Sequence, residues 1–177
     1  LRFPTGYLPS VLGGGDLDGD GDVDLVLANA IDTHLDPKGL FVLWNTGGRR
    51  VEIVPLHVLF LRARDLAVGD LDGDGRLDVV ATASDSVFSG FVQVFWNEGG
   101  RRFQTSDASQ HDLVRTGPND LEIADIDGDG YLDVLVAEER GRAVAVFRSE
   151  STRALAAPEM VGLGAFGRII PSWISTG

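Results

Sequence analysis

The chain has 177 residues, of which 44% are apolar and 8% aromatic, enough for a substantial core and unlike a disordered tail or a collagen-like fibre. It contains no cysteine, which excludes disulfides and thiolate metal sites, and it has no basic stripe of the kind that binds nucleic acid. The formal net charge is −12, but 13 of the 27 acidic residues lie in three nine-residue segments, without which 14 acidic residues would face 15 basic ones. The acidity is therefore local, which indicates concentrated cation sites.

One motif recurs three times and sets the period of the chain. The segments GGGDLDGDGDVDLVLANA, AVGDLDGDGRLDVVATAS and EIADIDGDGYLDVLVAEE align without a gap. Their first loop aspartates, Asp16, Asp70 and Asp125, are 54 and 55 residues apart. A second match follows in each unit, as FVLWNTGGRR, VQVFWNEGGRRF and the weaker VAVFRSESTR. Repeats of this length indicate supersecondary units that stack on one another.

Four strands are predicted within one unit, Leu66–Gly69, Leu77–Ala83, Phe91–Asn97 and Arg102–Thr105. The runs after the loops, LVLANA, DVVATA and DVLVAE, are apolar on both faces, which is typical of strands that are covered on both sides. Four-stranded antiparallel sheets that bury one another describe the blades of a β-propeller, an all-β fold. A β-sandwich of short strands gives similar local signals and stays open as an alternative.

The period divides the chain into three blades with partial units at both ends. We assign the blades to residues 11–60, 61–115 and 116–170. Residues 1–10 are predicted to be the outer strand of a preceding blade, because LRF matches RRF at residues 101–103, and residues 171–177 the first strand of a following blade. We therefore expect the remaining blades to lie in the same parent chain. No apolar run of 18 or more residues exists, so we expect no membrane insertion by this segment.

Each loop has the form D-x-D-x-D-G-x-x-D, a spacing that suits a hard divalent cation. Positions 1, 3 and 5 aim carboxylates inward, Gly at position 6 allows a sharp turn, position 7 offers its carbonyl, and position 9 closes the shell. The predicted ligands are Asp16, Asp18, Asp20, Asp22 and Asp24; Asp70, Asp72, Asp74, Arg76 and Asp78; and Asp125, Asp127, Asp129, Tyr131 and Asp133. This donor set fits Ca²⁺, which takes about 6 to 8 oxygens, better than the stricter octahedral Mg²⁺. We predict three Ca²⁺ sites.

Two other interpretations of the loops are an EF-hand and an acidic turn without an ion. An EF-hand needs Glu at position 12 between helices, whereas position 12 here is Leu27, Ala81 or Val136, each inside an apolar β run. Acidic turns without an ion are the simpler alternative, since Asp and Gly are ordinary turn formers. Three copies in register argue against it, because uncompensated carboxylates a few ångströms apart repel by about 1 kcal/mol per pair even in water.

With the loop, its flanking strands and the trailing V-x-V-F-W-N-x-G, the chain resembles the FG-GAP and VCBS repeat family, the blades of integrin-α-like propellers. The VCBS type is the closer match, because no Gly-Ala-Pro element follows the strand after any loop. The resemblance implies a seven-bladed propeller with Ca²⁺ between the first two strands of some blades, in secreted or cell-surface proteins. Family members include adhesion receptors, lectins and non-catalytic modules of secreted enzymes.

No catalytic motif stands out: G-x-S-x-G, P-loop and dinucleotide fingerprints are all missing from the sequence. We therefore expect a non-catalytic scaffold, extracellular or on the cell surface, that binds a protein or carbohydrate ligand. The alternatives are the propeller part of a secreted carbohydrate-active enzyme, and a lectin. Trp44 and Trp96 occupy equivalent places and would suit a sugar-stacking platform, although packing between blades is the simpler interpretation.

Overall fold

The structure, a computed structural model, describes residues 9–29, 39–57, 62–84, 89–104, 110–114, 117–139, 142–150 and 153–162. These residues form strands and turns, and no helix among them is long and apolar enough to cross a membrane. The first strands are β1 (Pro9–Gly15), β2 (Asp24–Asn29), β3 (Gly39–Asn45) and β4 (Val51–His57). The next are β5 (Arg62–Gly69), β6 (Asp78–Ser84), β7 (Ser89–Gly99), β8 (Arg102–Gln104) and β9 (Gln110–Val114). The last are β10 (Pro118–Ala124), β11 (Asp133–Glu138), β12 (Ala143–Phe147), β13 (Ser149–Glu150), β14 (Ala154–Leu155) and β15 (Glu159–Gly162).

The first sheet is an antiparallel meander in the order β1-β2-β3-β4. The first acidic loop joins β1 to β2, and the pairing of Gly15 with Asp24 closes it. β2 pairs with β3 so that Leu25 lies opposite Leu43. The loop therefore lies at one end of the sheet, between its first two strands. β1 begins at Pro9, so Pro9 and Ser10 belong to this sheet rather than to a preceding one.

The second sheet has the order β5-β6-β7-β8, but its outer edge is divided. One part of the 11-residue β7 pairs with β8, with Trp96 opposite Gln104, and the other pairs with β9, with Gln93 opposite Gln110. The predicted fourth strand corresponds to β8, which ends at Gln104; Thr105 lies outside the described residues. The sequence did not predict β9, because QHDLV has only two apolar residues, both at its end.

The third sheet repeats the meander as β10-β11-β12-β15. A two-stranded hairpin, β13-β14, lies between β12 and β15 in the chain and pairs Ser149 with Leu155. β15 then returns to the sheet edge, where Glu159 pairs with Val146. The outer edge thus has a different form in each of the three units.

Two apolar layers separate the three sheets. The layer between the first and second sheets contains Val26, Trp44 and Phe95, and a second layer contains Val94 and Phe147. All seven residues of β6 are buried, which confirms that the central strand is covered on both faces. Three consecutive four-stranded antiparallel sheets packed in this way are propeller blades and not a two-sheet sandwich. The number of blades in a complete propeller stays a prediction, and residues 171–177 lie outside the described residues.

Glycines at the loop end of the inner strands allow neighbouring sheets to approach closely. A Cβ atom at Gly15 would lie 2.4 Å from Cδ1 of Leu77, and one at Gly69 would lie 2.4 Å from Cδ1 of Ile123. A methyl group does not fit at either place unless the side chain of Leu77 or Ile123 moves. The first two loops consequently begin directly against the following blade.

Candidate metal centres

The aspartate at position 9 of each loop is fully buried and holds the loop closed. In the second loop, Asp78 accepts the backbone N–H of Leu71 at 3.0 Å and that of Asn97 at 2.8 Å. Asp24 and Asp133 accept the equivalent pairs of N–H groups in the other two loops. Position 9 is therefore a structural anchor as well as a predicted ligand, a role that the sequence did not indicate.

Burial of these anchors disfavours their charged form. It raises the pKa of Asp78 to about 7, although the two N–H groups act in the opposite direction and the nearby carboxylates of Asp72 and Asp74 add to the rise. Burial likewise raises the pKa of Asp24 and of Asp133. A cation held nearby would favour the ionised form, because opposite charge within a few ångströms lowers the pKa of a carboxyl group.

Position 1 organises the turn of each loop. Asp16 accepts the backbone N–H of Gly19 at 2.8 Å and of Gly21 at 3.0 Å. Both glycines have left-handed backbones, with φ of 79° and 90°, which residues with a Cβ atom rarely adopt. The sequence predicts a sharp turn at the glycine of position 6, and the structure shows that the glycine of position 4 is needed for the same reason.

Carboxylates at positions 1, 3 and 9 come together in every loop. The three triads are Asp16, Asp18 and Asp24; Asp70, Asp72 and Asp78; and Asp125, Asp127 and Asp133, with one ligand oxygen per residue and all three oxygens within 4.8 Å of one another. Two oxygens that share a Ca²⁺ ion at roughly 2.3–2.6 Å lie at most about 5 Å apart. The spacing and the hard oxygen donors therefore fit a shared Ca²⁺ ion.

The aspartates at position 5, which are Asp20, Asp74 and Asp129, lie outside these triads. Each accepts the backbone N–H of position 7 instead, at 2.9 Å in all three loops. The structure thus brings together three of the five predicted ligands per loop. Direct ligation by position 5, and by the carbonyl groups of Asp22, Arg76 and Tyr131, stays a prediction.

In the first two loops, an arginine of the next sheet lies against position 3. Arg101 donates from Nε and Nη2 to Oδ2 of Asp18, both at 2.7 Å. Arg153 donates from Nε to Oδ2 of Asp72 at 2.7 Å and from Nη2 to Asp74 at 2.9 Å. These contacts join residues about 80 positions apart in the chain, with separations of 83 for Arg101 and 81 for Arg153.

The third loop has an arginine of its own sheet at the same place. Arg148, which follows β12, pairs with Oδ2 of Asp127. None of the three arginine contacts was predicted from the sequence. The repeated G-G-R after the third strand of the first two units was the available signal, since it places an arginine at the same point of successive blades.

The tryptophans at the ends of the third strands are core residues. Trp44 is 3% exposed and Trp96 is 2% exposed. The ring of Trp44 stacks on that of Phe103 at 6.3 Å, across the boundary between the first two sheets. Their burial agrees with packing between blades and leaves no exposed ring face for sugar stacking.

The sequence and the fold were compared with family models, curated proteins and solved structures. A family model described as an FG-GAP-like repeat matches residues 16–81 and 70–136. No match was found among curated proteins. Among solved structures, the chain is similar to an Agrocybe aegerita lectin described as recognising non-reducing terminal N-acetylglucosamine, with 21% identity and a TM-score of 0.56. The match covers 88% of this chain but 39% of the lectin, and at this identity it shows the fold alone.

Proposed function

This chain belongs to the FG-GAP-like repeat family, and we propose that it is a non-catalytic calcium-binding module that presents a carbohydrate or protein ligand site outside the cell. The observation that carries calcium binding is the triad of positions 1, 3 and 9. It recurs in three loops with the same backbone hydrogen bonds on the buried anchor. An acidic turn without an ion would use the anchor's hydrogen bonds, but it would have no need of three mutually repelling carboxylate oxygens within 4.8 Å of one another.

Calcium is preferred over magnesium because of the kind and number of the ligands. The side chains at positions 1 and 3 also accept backbone N–H groups, which help to hold the carboxylates close enough together to share one ion. Mg²⁺ demands near-ideal octahedral geometry and keeps several waters, whereas Ca²⁺ tolerates irregular shells of carboxylates and carbonyls. Within each triad, the same carboxylates would bind the ion and hold the loop closed.

The proposed extracellular location implies an affinity class. Calcium sites of extracellular modules have dissociation constants of about 10⁻⁴ to 10⁻³ M. Such sites fill only where calcium is millimolar. An ion at that concentration then contributes on the order of 1 kcal/mol per site to the free energy of unfolding.

A carbohydrate ligand is favoured by the fold likeness to a lectin, although that protein's ligand is its own. A secreted carbohydrate-active enzyme that carries this module as its propeller part is the second candidate. Neither Trp44 nor Trp96 can serve as a stacking platform in either case, since both are buried. A sugar site would therefore use other residues.

Titration calorimetry of the purified chain tests the proposal. We expect Ca²⁺ to bind at three sites and Mg²⁺ to bind more weakly at all of them. Removal of Ca²⁺ with EDTA should lower the melting temperature. Equal affinity for the two ions, or no uptake of Ca²⁺, would contradict it.

Asp22→Asn is the matched control for that titration. The Asp22 side chain is exposed and lies outside the triad, while its carbonyl is kept by the substitution. Its calcium stoichiometry should equal that of the wild type.

A further inference from the structure

All three loops make the same arginine contact, but the arginine comes from two different positions of the repeat. Oδ2 of the position-3 aspartate pairs with an arginine in every loop. Arg101 and Arg153 occupy equivalent left-handed turns of the next blade, with φ of 63° and 56°. Arg148 belongs to the same blade as its loop and stands where the other units have Trp44 and Trp96. Arginines at non-equivalent positions of the repeat thus place a guanidinium against the same carboxylate. The contact therefore reflects a need of the loop and not an accident of the repeat.

The contact in the first loop is covered and has a defined geometry. The side chain of Asp18 is 8% exposed, and that of Arg101 is 34% exposed. The guanidinium carbon of Arg101 lies 5.1 Å from the ring centroid of Trp44, a cation–π distance that orients the arginine over the blade boundary. The same blade makes a second contact with the first loop. Nδ2 of Asn97 donates to the carbonyl of Leu17 at 2.8 Å, and this hydrogen bond is buried.

The positive charge of Arg101 determines its effect on the first loop. The first loop holds five aspartates within nine residues, so without a cation its carboxylates repel one another. Arg101 supplies the compensating charge on an atom of the triad residue Asp18. A guanidinium at this place also repels a second cation bound by the same carboxylates.

We propose that Arg101 and Arg153 are counter-ions that the next blade supplies to the ion-free loops, and that each opposes the binding of the cation at its loop. The inference rests on the proposed calcium binding. Its consequence is that the ion and the inter-blade ion pair share the position-3 carboxylate. Filling the first two loops then weakens these arginine contacts between blades.

The test compares Arg101→Gln with Arg49→Gln. Arg49 occupies the equivalent turn of the first unit, with φ of 66°, but it is exposed and makes no ion pair with any described residue. The two variants therefore remove the same charge from the same backbone conformation. Only the first removes a contact with a loop.

Calorimetry with Ca²⁺ and melting in EDTA are the two readouts. Arg101→Gln should raise the calcium affinity of one site by about five- to tenfold and lower the melting temperature in EDTA. Arg49→Gln should leave both at the wild-type values. Arg101→Lys keeps the charge but loses the planar guanidinium, so its calcium affinity should lie between those of the wild type and Arg101→Gln, and it serves as the measured variant if Arg101→Gln does not fold.

The outcomes separate this inference from the function on which it rests. A wild type that takes up no Ca²⁺ overturns the proposed function. A wild type that binds Ca²⁺ normally, with an unchanged or lower affinity in Arg101→Gln, overturns the counter-ion role alone. An equal loss of melting temperature in Arg101→Gln and Arg49→Gln would also overturn it.

Discussion

The first two loops and the third have the same triad of carboxylates but different surroundings. In the first two, an arginine of the next blade covers position 3, and the side chains of Asp18 and Asp72 are 8% and 4% exposed. In the third, Arg148 comes from the same blade, and the side chain of Asp127 is 30% exposed. The loop sequence thus builds the triad in all three units, and within the described residues a following blade covers the first two triads.

The burial of the residue at position 2 also differs between the first two loops and the third. Leu17 and Leu71 are 2% and 0% exposed and belong to the two apolar layers. Ile126 is only partly buried. Closing either of the first two loops therefore also places a core side chain, which closing the third does not do to the same extent.

The largest effect is expected from removing the position-9 anchor of the second loop. Asp78→Asn places an amide NH₂ group where one of two buried backbone N–H donors needs an acceptor, and one of these donors belongs to the core residue Leu71. We expect a loss of about 1–3 kcal/mol in the free energy of unfolding, because an unsatisfied buried donor costs that amount. The site should also lose its calcium. Urea denaturation in EDTA measures the first effect and calorimetry the second.

Asp133→Asn is the matched variant in the third loop. It too should lose one calcium site, but with a loss of only about 1 kcal/mol, since Ile126 is partly exposed and the N–H bonds of Asp133 are longer, at 3.1 and 3.2 Å. Equal destabilisation by the two substitutions would show that cover by the next blade is unimportant.

A smaller effect is expected at the boundary between the second and third blades. Asp65 on β5 accepts the backbone N–H of Leu121 on β10 at 2.8 Å. Burial raises the pKa of Asp65 above the usual 3.8, and the carboxyl group of Asp120 adds to the rise against the opposing N–H bonds. The equivalent residue of the first blade is Val11, so the other boundary has no such group.

The sign of the pH dependence follows from that raised pKa. The folded protein holds the proton of Asp65 more tightly than the unfolded chain does, so this group's contribution to stability is present below the usual pKa and is lost as the pH rises through the folded pKa. Asp65→Asn does not titrate. Its free energy of unfolding relative to the wild type should therefore increase as the pH rises above about 4. A difference that stays constant as the pH rises, measured by urea denaturation in EDTA, would show that folding does not change the titration of Asp65.

The features that could be predicted from the sequence are those with local causes. Period, strand position and loop chemistry follow from residues close in the chain, such as Gly21 at a left-handed position and the apolar run of β6. All four strands predicted in the second unit are present, as β5, β6, β7 and β8, although β5 begins at Arg62 rather than Leu66. Short-range steric and hydrophobic rules suffice for these features.

The features that were missed depend on contacts between residues that are far apart in the chain. Arg101 reaches an aspartate 83 residues away, and no pattern within one repeat reveals that its side chain points to the preceding blade. The anchor role of Asp78 depends on the N–H group of Asn97, which β7 brings to the loop. Likewise, β9 forms because β7 offers it an edge, while its own sequence carries no strand pattern.

The most direct test is a crystal structure of the chain grown with Ca²⁺. We predict an ion in each of the three loops, bound by the carboxylates of positions 1, 3 and 9 at roughly 2.3–2.6 Å, with further oxygens completing a shell of about 6 to 8. In the first two loops, Arg101 and Arg153 should have moved away from the position-3 oxygen. Loops that stay without an ion at millimolar Ca²⁺, with their arginine contacts unchanged, would contradict the account.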